Sequence, residues 1–118
     1  MSSDEQKSQI LQQEYNRSQE IIAELDQQLI SISSQLQEHK IVDETLTSIP
    51  PSDRKDRKCF KMIGGALVEK TIDEIIIILA DEIKQLTKQQ EMINKELVKS
   101  KKKLENWITN NKIKVVKG

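Results

Sequence analysis

Apolar residues recur at alternating steps of three and four along two long stretches of the chain, residues 3–49 and residues 71–110. This spacing is the heptad pattern of helices that pack along a narrow apolar seam. Neither stretch contains Gly or Pro, and each opens on a Ser or Thr with Glu three residues later, which is typical of a capped helix start. The pattern therefore predicts two long helices. The capping pairs are Ser2 with Glu5 and Thr71 with Glu74.

Each predicted helix has one continuous seam. The apolar pattern of the first seam is interrupted by Asp43. Pro50 then ends the helix, because the residue before a proline avoids helical geometry. The second seam contains polar Gln90 and Ser100, which either fix the register of the paired helices or loosen them. The seam residues are Leu11, Tyr15, Ser18, Ile22, Leu25, Leu29, Ile32, Leu36, His39 and Leu46 in the first helix, and Ile72, Ile76, Leu79, Ile83, Leu86, Gln90, Ile93, Leu97, Ser100, Leu104 and Trp107 in the second.

The middle of the chain breaks the helical pattern. Residues 50–58 are a polar linker that begins with two prolines, and residues 59–63 and 66–69 are predicted to be strands on either side of Gly64-Gly65. Two adjacent glycines predict a tight hairpin turn, because such turns require positive φ. The predicted fold is mostly α: a long antiparallel two-helix coiled coil with one β-hairpin, residues 59–69, inserted between the helices, followed by a tail of residues 111–118.

The hairpin is predicted to be an assembly element. A lone two-stranded hairpin is marginal in water, and its open edges invite pairing. The facing helices use their own apolar residues on each other, so hairpins from several chains are expected to pair edge to edge and bury a shared core. The predicted assembly residues are Cys59, Phe60, Met62, Ile63, Gly64, Gly65, Leu67 and Val68.

Composition narrows the class of protein further. The 118 residues are 36% hydrophobic and 32% charged with zero net charge, which fits an elongated helical protein and demands no polyanionic partner. The longest apolar run, residues 75–80, is far shorter than the ~20 residues of a membrane span. The polar N-terminus predicts no signal peptide, and the lone Cys59 fits a reducing compartment. We expect a soluble cytoplasmic protein without membrane contact.

Candidate chemistry is sparse. A single His39 and a single Cys59 cannot form a zinc site within one chain, and Gly64-Gly65 lacks the Lys-Ser/Thr of a phosphate loop. No nucleophile–base or paired-carboxylate arrangement stands out, so the sequence predicts no enzyme, no metal and no cofactor. Basic runs at residues 54–58 and at Lys99 with residues 101–103 lack stacking aromatics, which favours a solvated face over nucleic-acid binding.

The order coil, single hairpin, coil resembles the β-class subunits of the prefoldin family over essentially the whole chain. Residues 57–69, RKCFKMIGGALVE, resemble the family's hairpin, and residues 107–116, WITNNKIKVV, resemble its tail. The resemblance implies a hetero-hexamer of α- and β-class subunits whose hairpins build a β-barrel platform. It also implies a cytosolic co-chaperone that holds unfolded clients at its coil tips without ATP. It implies delivery of actin and tubulin chains to the cytosolic chaperonin, for which the basic run at residues 99–103 is one candidate docking site.

The two ends of the chain are predicted to meet at such a tip, because antiparallel packing brings Ile10 and Leu11 near Trp107 and Ile108. Fraying helix ends expose apolar groups without a formed pocket. The alternative is that Leu11 and Trp107 close the coil and that residues 113–116 pack back on it. Two other functions stay open: a coiled-coil tether whose hairpin dimerises it, and a nucleic-acid-binding coiled coil. The candidate client-binding residues are Ile10, Leu11, Trp107, Ile108, Ile113, Val115 and Val116.

Overall fold

The computed structural model describes residues 2–114 and residue 116. It confirms the predicted fold class, since two long helices flank a single antiparallel hairpin. None of the helices in the described residues is long and apolar enough to cross a membrane. The residues group into two units, residues 1–30 with 91–118 and residues 31–90. The elements in chain order are α1 (Ser3–Thr47), α2 (Pro51–Arg54), β1 (Lys58–Ile63), β2 (Ala66–Thr71) and α3 (Ile72–Asn110).

The first unit pairs the beginning of α1 with the end of α3. Its core consists of Ile22, Leu97 and Leu104, all of which are buried. Each of these residues lies on the predicted seam, so the heptad spacing located the core of this unit. Half-buried apolar residues surround it: Tyr15, Leu25, Leu29, Trp107 and Ile108.

The second unit holds the end of α1, the hairpin and the beginning of α3. Leu36, Ile72 and Leu79 are buried as predicted, but Ile75 is buried too, whereas the predicted seam residue Ile76 is only half-buried. The prediction missed Ile75, because residues three and four positions after Ile72 lie on nearly the same helix face. Near its start, α3 therefore buries Ile75 in addition to the seam residues Ile72 and Leu79.

The hairpin turn matches the glycine signal. Gly64 and Gly65 have φ values of 55° and 83°, which are the two positive values of a tight primed turn. A Cβ at either position would meet no atom within 4 Å, so glycine is needed for backbone conformation and not for space. The strand ladder runs from Ile63–Ala66 at the turn to Lys58–Thr71. It therefore extends the predicted strands by one residue at the beginning of β1 and by two at the end of β2.

The predicted linker contains a short helix that the sequence analysis missed. Pro51 occupies the first turn of α2, where a proline suits the helix because its missing N–H needs no partner. The Nε atom of Arg54 at the end of α2 lies 3.6 Å from Oδ1 of Asp73 in the first turn of α3. The sequence feature that could have predicted this helix is a proline followed by Ser-Asp.

Both predicted capping residues accept a backbone hydrogen bond. The N–H of Glu5 donates to Oγ of Ser2 over 3.2 Å. At α3, the N–H of Glu74 donates to Oγ1 of Thr71 over 3.2 Å, and that hydroxyl donates to Oε1 of Glu74 over 3.1 Å. These hydrogen bonds to Thr71, with a smaller contribution from the charge of Lys70, lower the pKa of Glu74 below its ordinary value.

Candidate functional site

The first unit contains a cavity of about 420 Å³ between its two helices and the tail, which we call the tail groove. The beginning of α1 supplies one wall, Trp107 of α3 supplies another, and the chain after α3 supplies the third. Apolar groups at this end of the chain were predicted to be exposed without a formed pocket, and the structure places part of them along this shallow groove. The lining residues are Ser8, Leu11, Gln12, Tyr15, Trp107, Ile113, Lys114 and Val116.

Two aromatic rings form the floor of the tail groove. The ring centroids of Tyr15 and Trp107 lie 6.2 Å apart at an interplanar angle of 30°. Trp107 donates its indole N–H to Oε2 of Glu14 over 2.9 Å, and the Tyr15 hydroxyl accepts a hydrogen bond from Gln19 over 2.9 Å. Because both polar ends have partners, the rings present mainly apolar surface to the groove.

The chain reverses direction immediately after α3. The N–H of Lys112 donates to the carbonyl of Thr109 over 3.2 Å, and the N–H of Ile113 donates to the carbonyl of Ile108 over 3.0 Å. This pair of bonds is the Schellman motif, whose left-handed residue is Lys112 with φ of 52°. The reversal brings half-buried Ile113 into the lining of the tail groove.

The structure brings together four of the predicted client-binding residues at the tail groove: Leu11, Trp107, Ile113 and Val116. Ile108 packs against the core instead, and Ile10 is exposed outside the groove. Val115 lies outside the described residues. Tyr15 lines the groove but was predicted only as a seam residue. The sequence feature that could have predicted this role is an aromatic residue on α1 that antiparallel packing places opposite Trp107.

The second unit carries the predicted assembly residues, and the strand register divides them between two faces. Directly paired residues of an antiparallel ladder project to the same face, as do every second residue along a strand. Phe60, Met62 and Leu67 therefore share one face, where they are 68%, 62% and 67% exposed. We call these three residues the outer hairpin face. Cys59 and Val68 lie on the opposite face and are half-buried.

The same strands have open edges. Each strand pairs only with the other within the described residues. Alternate residues of an antiparallel strand direct their N–H and C=O groups away from the partner strand. Since the Ile63–Ala66 pair closes the turn, these residues are Phe60 and Met62 on β1 and Leu67 on β2. The outer hairpin face thus combines exposed apolar side chains with unpaired backbone groups.

A charged network lies on the inner side of the hairpin. Glu82 of α3 has Oε2 2.8 Å from Nε2 of His39 on α1, and its Oε1 is 3.3 Å from Nζ of Lys61 on β1. The other imidazole nitrogen of His39 lies 2.8 Å from the carbonyl oxygen of Gln35. The network joins α1, α3 and β1.

Polar side chains elsewhere fit structural roles. Gln90 donates to Oγ of Ser33 over 3.0 Å, which gives this polar seam residue a partner on the facing helix. The lysines of the basic run, Lys99 with residues 101–103, are exposed. In the described residues, no group of three or more His, Cys, Asp and Glu side chains is placed to hold a metal ion.

Sequence comparison defines the class of protein to which this arrangement belongs. The family model described as "Prefoldin subunit" matches residues 9–118, and the chain belongs to that family of chaperone subunits. It is 34% identical to prefoldin subunit 2 of Saccharomyces cerevisiae over 114 residues, which cover 97% of this chain and 99% of the relative. It is 28% identical to prefoldin subunit 2 of Homo sapiens over 102 residues, which cover 86% of this chain and 64% of the relative.

Structure comparison supports the same fold. The crystal structure of the prefoldin beta subunit from Thermococcus strain KS-1 superposes with a TM-score of 0.74 and covers 88% of each chain. Sequence identity to that protein is 20%, so this likeness concerns the fold alone. Family membership implies assembly with other prefoldin subunits, for which the outer hairpin face is the candidate surface.

Proposed function

We propose that this chain is a β-class subunit of a cytoplasmic, ATP-independent hetero-hexameric chaperone that captures non-native proteins and delivers them to the cytosolic chaperonin. Its partners are α- and β-class prefoldin subunits, and its clients are of the actin and tubulin class. The outer hairpin face serves assembly and the tail groove serves capture. One observation carries the proposal. In this member of the prefoldin subunit family, exposed apolar side chains and unpaired backbone groups lie together on the outer hairpin face.

Assembly through the outer hairpin face follows from its exposure. Full burial of side chains such as Phe60, Met62 and Leu67 stabilises an interface by about 1.5–3 kcal/mol each. Strand addition at the edges also satisfies the backbone groups of the same residues. A partner strand that pairs with either edge continues the sheet, so side chains from both partners can share one apolar core. This geometry suits a closed β-barrel built from several hairpins.

Capture through the tail groove is supported by the apolar side chains in its shallow lining, which also includes polar Ser8, Gln12 and Lys114. Leu11, Tyr15 and Trp107 offer apolar contact to a client, but a groove of this size holds only a small part of an unfolded chain. Each contact is therefore weak. Several subunits in one assembly raise the effective concentration of grooves near a bound client, so that weak contacts add to useful avidity.

Native mass spectrometry of the assembly tests the first role. A six-chain particle that contains two longer α-class subunits supports the proposal. A monomer, or a dimer with no such partners, contradicts it and favours the tether with a dimerising hairpin.

Substitution of the tail tests the second role. We expect Ile113→Ser combined with Val115→Ser and Val116→Ser to weaken suppression of aggregation of a denatured protein, while the assembly keeps its mass. Val98→Ser is the matched control, because Val98 is an exposed aliphatic residue of the same unit that does not line the tail groove. Equal loss in both variants, or loss of assembly in the triple variant, would contradict the assignment of the groove.

A further inference from the structure

We propose that a basic cavity on the last turns of α3 binds a carboxylate-rich segment of another protein. The cavity measures about 480 Å³, and its lining consists of three lysines, three asparagines and Trp107, all of them on α3 or directly after it. We call it the lysine hollow, after Lys99, Lys102 and Lys103. The inference goes beyond the proposed function and does not depend on it, because it concerns a charged surface and not the capture of apolar segments.

The sequence places the lining of the lysine hollow on one face of α3. Residues three and four apart are neighbours on a helix, and the lining follows that spacing from Lys99 to Asn110. Lys101 belongs to the same basic run but lies two residues from Lys99 and from Lys103, so it is absent from the lining. Glu105, the only acidic residue between positions 99 and 111, is absent from it as well. The lining therefore carries positive charge and no carboxylate.

The polar groups of the lysine hollow are available to a partner. Within the described residues, its three lysines form no ion pair and no hydrogen bond. The side-chain amides of Asn106 and Asn110 make no hydrogen bond in that part of the chain either, whereas Asn111 donates to the carbonyl of Trp107 over 2.9 Å. The hollow thus presents three cations and two amides that another molecule can bind.

These groups fit an acidic peptide segment better than a nucleic acid. Lysine binds carboxylates through charge-assisted hydrogen bonds, and the amides of Asn106 and Asn110 can both donate to and accept from a peptide backbone. Single-stranded nucleic acid needs an open aromatic face for stacking, but Trp107 is half-buried and packs against Tyr15 with ring centroids 6.2 Å apart. From Lys99 to Asn110 the helix rises by about 16 Å, which is the length of about five residues of extended chain.

A neighbouring carboxylate weakens the positive charge of the lysine hollow. Glu96 is exposed and lines a second cavity of about 260 Å³ together with Lys99 and Lys103. It pairs with neither lysine within the described residues. Glu96 therefore lowers the local charge without occupying the hollow, and its removal should strengthen the binding of an acidic segment.

The test is a fluorescence titration of the full-length chain with pentaglutamate whose ends are capped. Trp107 is the only tryptophan of the chain and lines the lysine hollow, so its emission reports occupancy. A salt concentration of about 0.1 M screens charges that lie more than ~10 Å apart. We expect Lys102→Gln to weaken binding about threefold and Glu96→Gln to strengthen it about twofold, as is usual for single exposed charges. Capped pentaglutamine should bind at least about tenfold more weakly than pentaglutamate, because it forms none of the ion pairs.

Lys101→Gln is the matched control, because it removes the same charge from the same exposed run and lies outside the lining. Equal effects of Lys101→Gln and Lys102→Gln, equal binding of the two peptides, or no binding of pentaglutamate would overturn the inference. Tighter binding of a five-nucleotide single-stranded RNA would overturn it too and assign the hollow to nucleic acid. Trp107 also lines the tail groove, but a peptide bound there would not depend on Lys102. The titration measures no protection of a denatured protein, so failure of the proposed function would leave its result unchanged.

Discussion

The tail groove and the outer hairpin face use apolar residues in opposite ways. In the groove, Trp107 and Tyr15 are half-buried, their polar atoms have partners within the chain, and the tail covers part of the surface. On the hairpin, Phe60 and Met62 are more than 60% exposed. The polar atoms of the two rings in the tail groove therefore have partners in the isolated chain. The outer hairpin face leaves apolar side chains and backbone groups without partners until another strand binds.

The difference follows from what each partner can supply. In the proposed assembly a partner subunit would present the same strand each time, and that strand would satisfy the unpaired backbone groups beside Phe60 and Met62. A non-native client presents no fixed geometry, and a surface that depended on backbone pairing would be unsatisfied most of the time. In the proposed capture, a groove whose two aromatic rings have their polar atoms paired within the chain would accept many segments at low affinity. A surface for permanent binding can thus leave polar backbone atoms unpaired until the partner binds. A surface for transient binding needs its polar atoms paired within its own chain, even where the apolar residues of the two surfaces are similar.

The largest expected effect is on assembly. Phe60→Ser with Met62→Ser removes two exposed side chains from the outer hairpin face, and buried interface anchors of this kind contribute about 2 kcal/mol or more each. We expect the variant to remain helical by circular dichroism and to be lost from the six-chain particle in native mass spectrometry. Met92→Ser is the control, because Met92 is 70% exposed on α3. A variant that still assembles would show that the hairpin contrast has no functional meaning.

The next effect is on the stability of the chain itself. Ile75→Ala should destabilise the second unit by about 2–4 kcal/mol, because Ile75 is buried and a cavity remains. Ile77→Ala, two residues further along α3 at an exposed position, should change the free energy of unfolding by less than about 0.5 kcal/mol. Urea unfolding measures both. Similar losses would contradict the assignment of Ile75 to the core and of Ile77 to the surface.

A smaller effect separates the inner side of the hairpin from its outer face. Glu82→Gln removes the carboxylate that bonds His39 and Lys61, and we expect a loss of about 1 kcal/mol because these groups are partly exposed to solvent. Amide hydrogen exchange in β1 should rise with it. Glu91→Gln, at an exposed position of α3, is the control. Unchanged exchange in β1 would mean that the network does not hold the hairpin to the helices.

The sequence predicted the parts of this molecule that follow from periodicity. Heptad spacing located Ile22, Leu97 and Leu104 in the core, and Gly64-Gly65 located the turn. The division of the hairpin into two faces was not predicted, because apolar residues alternate onto both sides of its strands. Only the register shows that Phe60 and Met62 face outward while Cys59 and Val68 face inward.

The tail groove was harder to predict for a physical reason. The reversal after α3 requires positive φ, which a sequence usually announces with Gly or Asn, yet the residue in that conformation is Lys112. The short helix α2 was missed for the opposite reason, since adjacent prolines suggest a break although the second one starts a helix. The reversal after α3 and the start of α2 each depend on the backbone conformation of a single residue, which the spacing of apolar residues does not reveal.

The smallest effect concerns the start of α3, next to the hairpin. Hydrogen bonds to Thr71 lower the pKa of Glu74 in the folded chain, so the folded state holds its carboxylate more readily than the unfolded state does. This stabilisation is complete above the ordinary pKa of Glu, near pH 4.5, and is lost as the pH falls toward the lowered value. We expect Glu74→Gln to unfold slightly more easily than wild type at neutral pH and equally easily in acid. Urea midpoints between neutral and acidic pH measure the difference, with Thr71→Ser as the control that keeps the capping hydroxyl. A gap between wild type and Glu74→Gln that stays constant as the pH falls would show that the capping carboxylate does not stabilise this end of the helix.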